Sequence, residues 1–154
     1  AIGACDVVEH IEDDLAFLIE VRRLLRTGGR FYCTVPAMQR LWSDEDEFAG
    51  HYRRYSKKDL RSVLERAGME IEFISYLFTW LVPTLFIFRT LPWRLRGRRS
   101  KRTLGSSEHV QADHKLPAIL SPPVTMVNTW ELKRLLRRRS IGLGTSVICV
   151  AKVK

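Results

Sequence analysis

The sequence has few cysteines, and no spacing pattern connects them. Cys5, Cys33 and Cys149 are far apart and lie within apolar segments, with no Cys-x-x-Cys pair. This pattern argues against a cysteine-type zinc site and against a disulfide framework. We therefore expect buried, reduced thiols and a cytoplasmic protein.

The sequence also lacks a glycine-rich nucleotide-binding turn and a long apolar segment. None of Gly3, Gly50, Gly97 and Gly105 lies in a strand–GxGxxG–helix context. The uncharged run from Phe73 to Phe88 is shorter than the roughly 20 apolar residues that span a bilayer. A membrane-spanning helix is therefore disfavoured.

Acidic residues are scarce in the second half of the chain. Residues 1–76 carry 11 basic and 14 acidic side chains, whereas residues 77–154 carry 15 basic and 3 acidic ones. Such asymmetry indicates either a polyanionic neighbour, nucleic acid or an anionic membrane face, or simply a solvated surface. No base-stacking motif of the RNA-recognition type accompanies the basic residues, so a nucleic-acid partner is disfavoured.

The first 36 residues predict a strand–helix–strand unit. An apolar strand from Ile2 to Val8 precedes a helix from Leu15 to Arg26, and Gly28 and Gly29 separate this helix from a second strand, Phe31–Val35. A helix of this length is typical of a right-handed crossover between parallel strands. Polar residues follow the first strand, at the edge where such sheets bind ligands.

The remaining chain continues the α/β pattern. Residues 37–55 are predicted to be irregular, and Ser56 is predicted to cap a helix that ends at Gly68. A strand is predicted over Met69–Tyr76 and a final strand over Thr145–Ala151. Between them lie the uncharged run and a basic amphipathic helix over Trp130–Arg139.

Taken in order, these segments resemble the C-terminal half of a class I S-adenosylmethionine-dependent methyltransferase. The segments that carry the likeness are Asp6–Asp13 (sequence DVVEHIED), Leu24–Arg30, His51–Ser56, Arg66–Met69 and Gly144–Ser146. The resemblance implies an α/β fold with a partial Rossmann-like sheet, containing strands four to seven of the family, mixed because the last strand is antiparallel. It also implies one partial domain over residues 1–154, with an inserted apolar and basic helical segment over residues 77–140.

The same resemblance shows what the chain does not contain. The glycine-rich turn, the acidic residue that ends a second strand, and the first three strands of the family have no counterpart here. In the family these parts form one side of the cofactor crevice. The expectation is therefore a fragment or truncated form, or a domain whose sheet is completed by a partner chain.

The turn after the first strand is the candidate cofactor site. The resemblance places Asp6, Val8, Glu9 and His10 beside the methionine end of S-adenosylmethionine. Some related O-methyltransferases hold a divalent cation with a Glu-x-x-Glu-His turn, so Asp6, Glu9 and His10 form an alternative Mg²⁺ or Mn²⁺ site. A third interpretation is structural, with Glu9 and His10 bonded to each other at the helix start.

His51 and Arg53 are the candidate catalytic residues. The resemblance sets their loop over the acceptor pocket, where histidine suits proton transfer from a hydroxyl group. The alternative is a surface loop in which Arg53 and Arg54 pair with the acidic cluster Asp44–Glu47.

The expected function is methyl transfer from S-adenosylmethionine to a small-molecule or lipid-linked acceptor, at oxygen. The alternative is a non-catalytic module that binds a partner chain or an anionic membrane surface, at the inner membrane face. The uncharged run Phe73–Phe88 and the basic segment that follows it fit either a monotopic membrane hairpin or a helical cover on the substrate pocket.

Overall fold

Four strands form one mixed sheet. A computed structural model describes residues 1–96 and 121–154, and its strands are β1 (Ile2–Cys5), β2 (Arg30–Pro36), β3 (Met69–Leu77) and β4 (Ser146–Val153). The strand order is β1-β2-β4-β3, with β1 parallel to β2 and with β4 antiparallel to both of its neighbours. The predicted mixed α/β sheet with an antiparallel last strand is therefore confirmed, whereas its numbering as strands four to seven stays a prediction.

Two helices connect the parallel strands. Helix α1 (Asp14–Leu24) joins β1 to β2, and the side chain of Asp13 caps it by accepting a hydrogen bond of 2.9 Å from the Ala16 amide. Helix α3 (Lys57–Arg66) lies between β2 and β3 and begins at Ser56, as predicted, with a capping box to Asp59. Both connections keep β1, β2 and β3 pointing the same way, so their carboxyl ends share one edge.

The other helical segments are shorter or less regular. They comprise the 3₁₀ turns Val8–His10 and Gln39–Leu41, α2 (Asp44–Phe48), α4 (Leu81–Leu85), the π-helical turn Phe86–Thr90, α5 (Leu91–Arg96) and α6 (Ser121–Leu136). Two expectations were wrong. Residues 37–55 are not wholly irregular, because Ser43 begins α2, and the basic helix starts at Ser121, nine residues before Trp130.

The predicted insert over residues 77–140 contains helices over residues 81–96 and 121–136, and residues 97–120 of it lie outside the described residues. Its boundaries stay a prediction. In the part of the chain that the structure describes, no helix has both the length and the apolarity needed to cross a membrane.

The core lies between the sheet and helices α1 and α3. Alternate residues of β2 and β4 point into it, and Leu18, Leu60 and Leu64 from the helices are completely buried against them. This period of two is what a sheet covered on one face requires. The opposite face is less covered, and Tyr32 of β2 is 45% exposed there.

The cysteine prediction holds for two of the three thiols. Cys33 and Cys149 are paired across β2 and β4, and both are buried and free. Cys5 is exposed, contrary to expectation. It lies on β1, an edge strand of the described sheet, and it alternates with the buried Ala4, so its side chain is on the less covered face.

We predict that Gly144→Ala destabilises the fold. A Cβ atom at Gly144 would overlap the backbone carbonyl of Leu77 at the end of β3, and backbone atoms cannot move aside cheaply. Overpacking of this kind costs about 1–3 kcal/mol or more. Urea denaturation monitored by circular dichroism should therefore show a clearly lower midpoint.

Gly142→Ala is the matched control, because a Cβ atom there meets nothing within 4 Å. Its midpoint should stay close to that of the parent protein. Equal effects of the two substitutions would contradict the steric explanation.

Candidate functional site

Strained backbone marks the edge at which the parallel strands end. Asp6, Met38 and Phe78 have φ angles of 51°, 61° and 58°, and each follows the end of β1, β2 or β3 by one or two residues. Non-glycine residues rarely adopt positive φ, and such strain concentrates at functional sites. The three positions lie at the edge where open α/β sheets bind ligands.

The turn after β1 is fixed by contacts with β2. The Asp6 amide donates to the Thr34 carbonyl at 2.9 Å, and the Thr34 hydroxyl donates to Asp6 Oδ1 at 3.4 Å. The side chain of Val8 is completely buried in the core. Any ligand contact by Val8 would therefore come from its backbone.

Glu9 is a buried carboxyl group without a full set of partners. The residue is 1% exposed, and its Oε2 atom has no hydrogen-bond partner. Burial raises the pKa of Glu9 above its ordinary 4.5, and the nearby Asp6 acts in the same direction. A buried unpaired acceptor is costly, so it indicates a group that a ligand could satisfy.

The loop after α2 brings His51 to the same place. The Tyr52 amide donates to the Glu9 carbonyl at 2.8 Å, which ties this loop to the turn after β1. The rings of His10 and His51 then meet edge to face, with centroids 4.7 Å apart. One ligand atom from each of Glu9, His10 and His51 lies within 4.8 Å of the others.

Asp46 orients His51 from behind. Asp46 is completely buried; its Oδ1 atom lies 2.9 Å from His51 Nδ1 and accepts a hydrogen bond of 2.8 Å from Arg54 Nε. The Ser43 amide donates to its Oδ2 atom at 3.0 Å. Burial alone would raise the pKa of Asp46, but the donated bonds from Arg54 and His51 hold this pKa below its ordinary value.

Arg53 belongs to a different cluster. Its guanidinium group lies 2.8 Å from Asp14 Oδ2 and donates to the Glu12 carbonyl, while the Tyr55 hydroxyl donates to the same Asp14 oxygen at 2.7 Å. These bonds join the loop to the start of α1. The pairing that the alternative interpretation expected is thus present for Arg54 but not for Arg53, whose carboxylate is Asp14.

The structure brings together three of the predicted site residues, namely Glu9, His10 and His51. Asp6 lies at the same turn but is not in the cluster of close donor atoms. Asp46 was missed as a site residue, although the sequence contained a signal for it: Ser43-x-x-Asp46 is a capping-box spacing, which predicts a helix start. Nothing in the sequence indicated that the same carboxylate also holds His51.

Chemically, the cluster is suited to a positively charged ligand. One carboxylate and two imidazoles could coordinate a divalent metal ion. Imidazole nitrogens are softer donors than the oxygen ligands that Mg²⁺ prefers. The Glu9 carboxylate could equally accept hydrogen bonds from an ammonium group. With its proton on Nδ1 toward Asp46, His51 presents Nε2 as a proton acceptor.

We predict that Glu9→Gln stabilises the ligand-free protein at neutral pH. Because the folded state raises the pKa of Glu9 above 4.5, ionisation costs folding free energy as the pH rises through and above that value. A gain of about 1 kcal/mol corresponds to about 2–4 °C in melting temperature. Thermal melts should show the gain at pH 7.5 and a smaller gain at pH 4.

The exposed neighbour Glu12 supplies the control, and Glu12→Gln should leave the melting temperature unchanged at both pH values. A lower melting temperature of Glu9→Gln at pH 7.5 would mean that the Glu9 carboxylate is satisfied in the folded protein, and the prediction would be wrong.

Comparison with known proteins gives structural matches only. No protein-family model matches the chain, and no curated protein sequence matches it. Among solved structures, a chain of the complex between the Haloferax volcanii Trm112 methyltransferase activator and a methyltransferase matches 98% of this chain, with a TM-score of 0.52 and 18% identity. This chain spans 52% of that protein's length.

Two further matches have lower TM-scores. Haemonchus contortus phosphoethanolamine N-methyltransferase 2, solved with S-adenosyl-L-methionine, has a TM-score of 0.48 and 15% identity, and this chain covers 32% of it. A Bacillus halodurans methyltransferase has a TM-score of 0.46 and 15% identity, with 68% of its length covered. In both cases 98% of this chain is matched. At these identities the likeness concerns the fold alone: this chain has a methyltransferase-like α/β fold, similar to that of the chain matched in the Haloferax volcanii complex.

Proposed function

We propose that this chain is part of an S-adenosylmethionine-dependent methyltransferase and that the turn Asp6–His10 binds the methionine end of the cofactor. The observation that carries the proposal is the buried Oε2 atom of Glu9, which lacks a partner at the ligand-binding edge of the sheet. The ammonium group of the cofactor would donate to it. Such a charge-assisted bond replaces an uncompensated buried acceptor, so it supplies binding free energy.

His51 is proposed as the general base. Its Nε2 atom would take the proton of an acceptor hydroxyl while the oxygen attacks the sulfonium methyl group, which leaves S-adenosylhomocysteine. Asp46 would fix the tautomer and stabilise the imidazolium that forms, because its carboxylate lies 2.9 Å from Nδ1. Arg53 is bonded to Asp14, so we propose that it positions the loop of His51; direct catalysis by Arg53 stays a prediction.

The acceptor is proposed to be a small molecule or a lipid-linked one. The apolar helical run that follows β3 reaches the site through Arg89, which donates to the Ser43 hydroxyl at 2.9 Å and lies 3.6 Å from Asp46. Through these contacts the run lies next to Asp46, which holds the proposed base. We propose oxygen as the methylated atom because a hydroxyl group must lose its proton during methyl transfer, and His51 is the proposed base for that proton.

We further propose that additional strands complete the cofactor crevice. In the described sheet β1 pairs with β2 alone, so its second edge is free to pair with further parallel strands. These strands could come from the same polypeptide or from a partner chain. The Haloferax volcanii match is a complex with a methyltransferase activator, which makes a protein partner a reasonable expectation.

The free edge of β1 also supports a second candidate function. A methyltransferase-like domain that binds no cofactor could act as a module that pairs with a partner chain, using this edge. The two functions differ in one measurable property, the affinity for the cofactor or its demethylated product.

For the first function we predict that S-adenosylhomocysteine binds to the protein in the longest form that its gene encodes, as measured by isothermal titration calorimetry. His10→Ala should weaken this binding about tenfold, because it removes a polar contact to a charged ligand. Glu12→Gln, on the same turn but exposed, should leave it unchanged. Absence of heat with the parent protein would favour the non-catalytic module, whereas heat from magnesium chloride alone would favour a divalent cation at the cluster.

A kinetic prediction separates the base from the binding residues. A screen of small hydroxylated molecules for release of S-adenosylhomocysteine would first supply an acceptor. With it, His51→Asn should lower kcat by about 10²–10⁴ with unchanged affinity for S-adenosylhomocysteine, because only proton transfer is lost. Tyr52→Phe in the same loop is the control, and parental turnover by His51→Asn would rule out His51 as the base.

A further inference from the structure

In the helical run Leu81–Arg96, Arg89 and Thr90 turn their polar side chains against the protein. Arg89 is held by Ser43 at 2.9 Å and by Glu45 at 3.0 Å, and its side chain is only 22% exposed. Thr90 is completely buried, and its hydroxyl donates to the Leu41 carbonyl at 3.2 Å. A surface helix ordinarily turns such groups toward water.

Four large apolar side chains of the same run face the other way. Ile87, Phe88, Leu91 and Leu95 are 52%, 77%, 38% and 77% exposed. Their spacing of i, i+1, i+4 and i+8 places them on one side of a helix. We call these four residues the outer stripe.

The outer stripe differs from scattered surface leucines. Single exposed apolar residues are normal on any protein, but several large ones on one helical face mark a contact surface. Its polar neighbours Arg89, Thr90 and Arg94 already have partners on the inner side. The orientation of the run is therefore set by Arg89 and Thr90, and it leaves the stripe uncovered in the described residues.

The charge around the stripe identifies what would cover it. The sequence has no acidic residue from Phe73 to Ser107, whereas residues 94–102, beyond the inward-bonded Arg89, include six basic ones. An apolar helical face that a basic segment follows in the sequence suits the interfacial zone of an anionic bilayer, where apolar side chains enter the acyl boundary and basic ones meet headgroups. A helical run of 16 residues is about 24 Å long, so it would lie in the plane of the surface.

We infer that the outer stripe docks this protein onto an anionic membrane surface. The inference depends on the orientation of the Leu81–Arg96 run and not on the proposed catalytic function. Docking in this way would leave the inner contacts of Arg89 and Thr90 intact.

Co-sedimentation with vesicles tests the inference on the full chain. Vesicles of phosphatidylcholine with about 30% phosphatidylglycerol should bind the protein, and vesicles of phosphatidylcholine alone should bind it far less. Phe88→Ser combined with Leu95→Ser should weaken binding at least tenfold, because the variant lacks two large apolar side chains whose transfer from water into the bilayer stabilises the bound state. Binding should weaken as salt is raised, since headgroup attraction is screened.

The matched control is Phe48→Ser combined with Leu24→Ser, because these residues are 82% and 77% exposed but lie outside the stripe. Both double variants replace exposed side chains, so circular dichroism should show parental melting for each. The inference fails if the parent protein does not co-sediment with anionic vesicles or if the two double variants lose binding equally. It also fails if sedimentation velocity shows a dimer that the stripe variant alone disperses, because a second copy would then be the occupant.

Discussion

The conformation around the candidate site depends on one buried carboxylate, that of Asp46. It receives hydrogen bonds from Arg54, His51 and the Ser43 amide, and the guanidinium group of Arg89 lies 3.6 Å away. These partners come from the start of α2, the loop after it and the helical run after β3. A buried charge is tolerated only when donors surround it, so the three segments must meet where they do. Loss of one partner of a buried ion pair costs about 3–5 kcal/mol, which shows how strongly the arrangement is held.

Asp46 and Glu9 illustrate opposite uses of a buried acid. Asp46 is ionised and satisfied, and its lowered pKa means that it stabilises the fold above its ordinary pKa and loses this effect as the pH falls toward the folded-state value. Glu9 is equally buried but keeps an unpartnered oxygen, and its raised pKa means that it weakens the fold where it is ionised. Under the proposed function, the ammonium group of the cofactor would remove this cost by donating to the unpartnered oxygen.

The parts of the fold that could be predicted are the elements that short, local sequence patterns specify. The Ser56 cap and the break at Gly28 and Gly29 predict the start of α3 and the separation of α1 from β2, and the structure contains both. The contact between Asp46 and His51 could not be predicted, because it depends on how a loop returns after a five-residue helix. The orientation of the Leu81–Arg96 run was equally hidden, since its composition suits a buried helix and only the contacts of Arg89 and Thr90 turn its apolar side outward.

The position of β4 has a consequence for biosynthesis. This strand comes last among the described elements, yet it lies between β2 and β3 and supplies hydrogen bonds to both. A nascent chain emerging from the ribosome can form α1 and the β1–β2 pair early, but β3 has no neighbour in the sheet until residues 146–153 have been synthesised. Until then the edge of β3 that pairs with β4 is exposed to chaperones and to other nascent chains, so synthesis of β4, rather than local helix formation, sets the moment at which the described sheet closes.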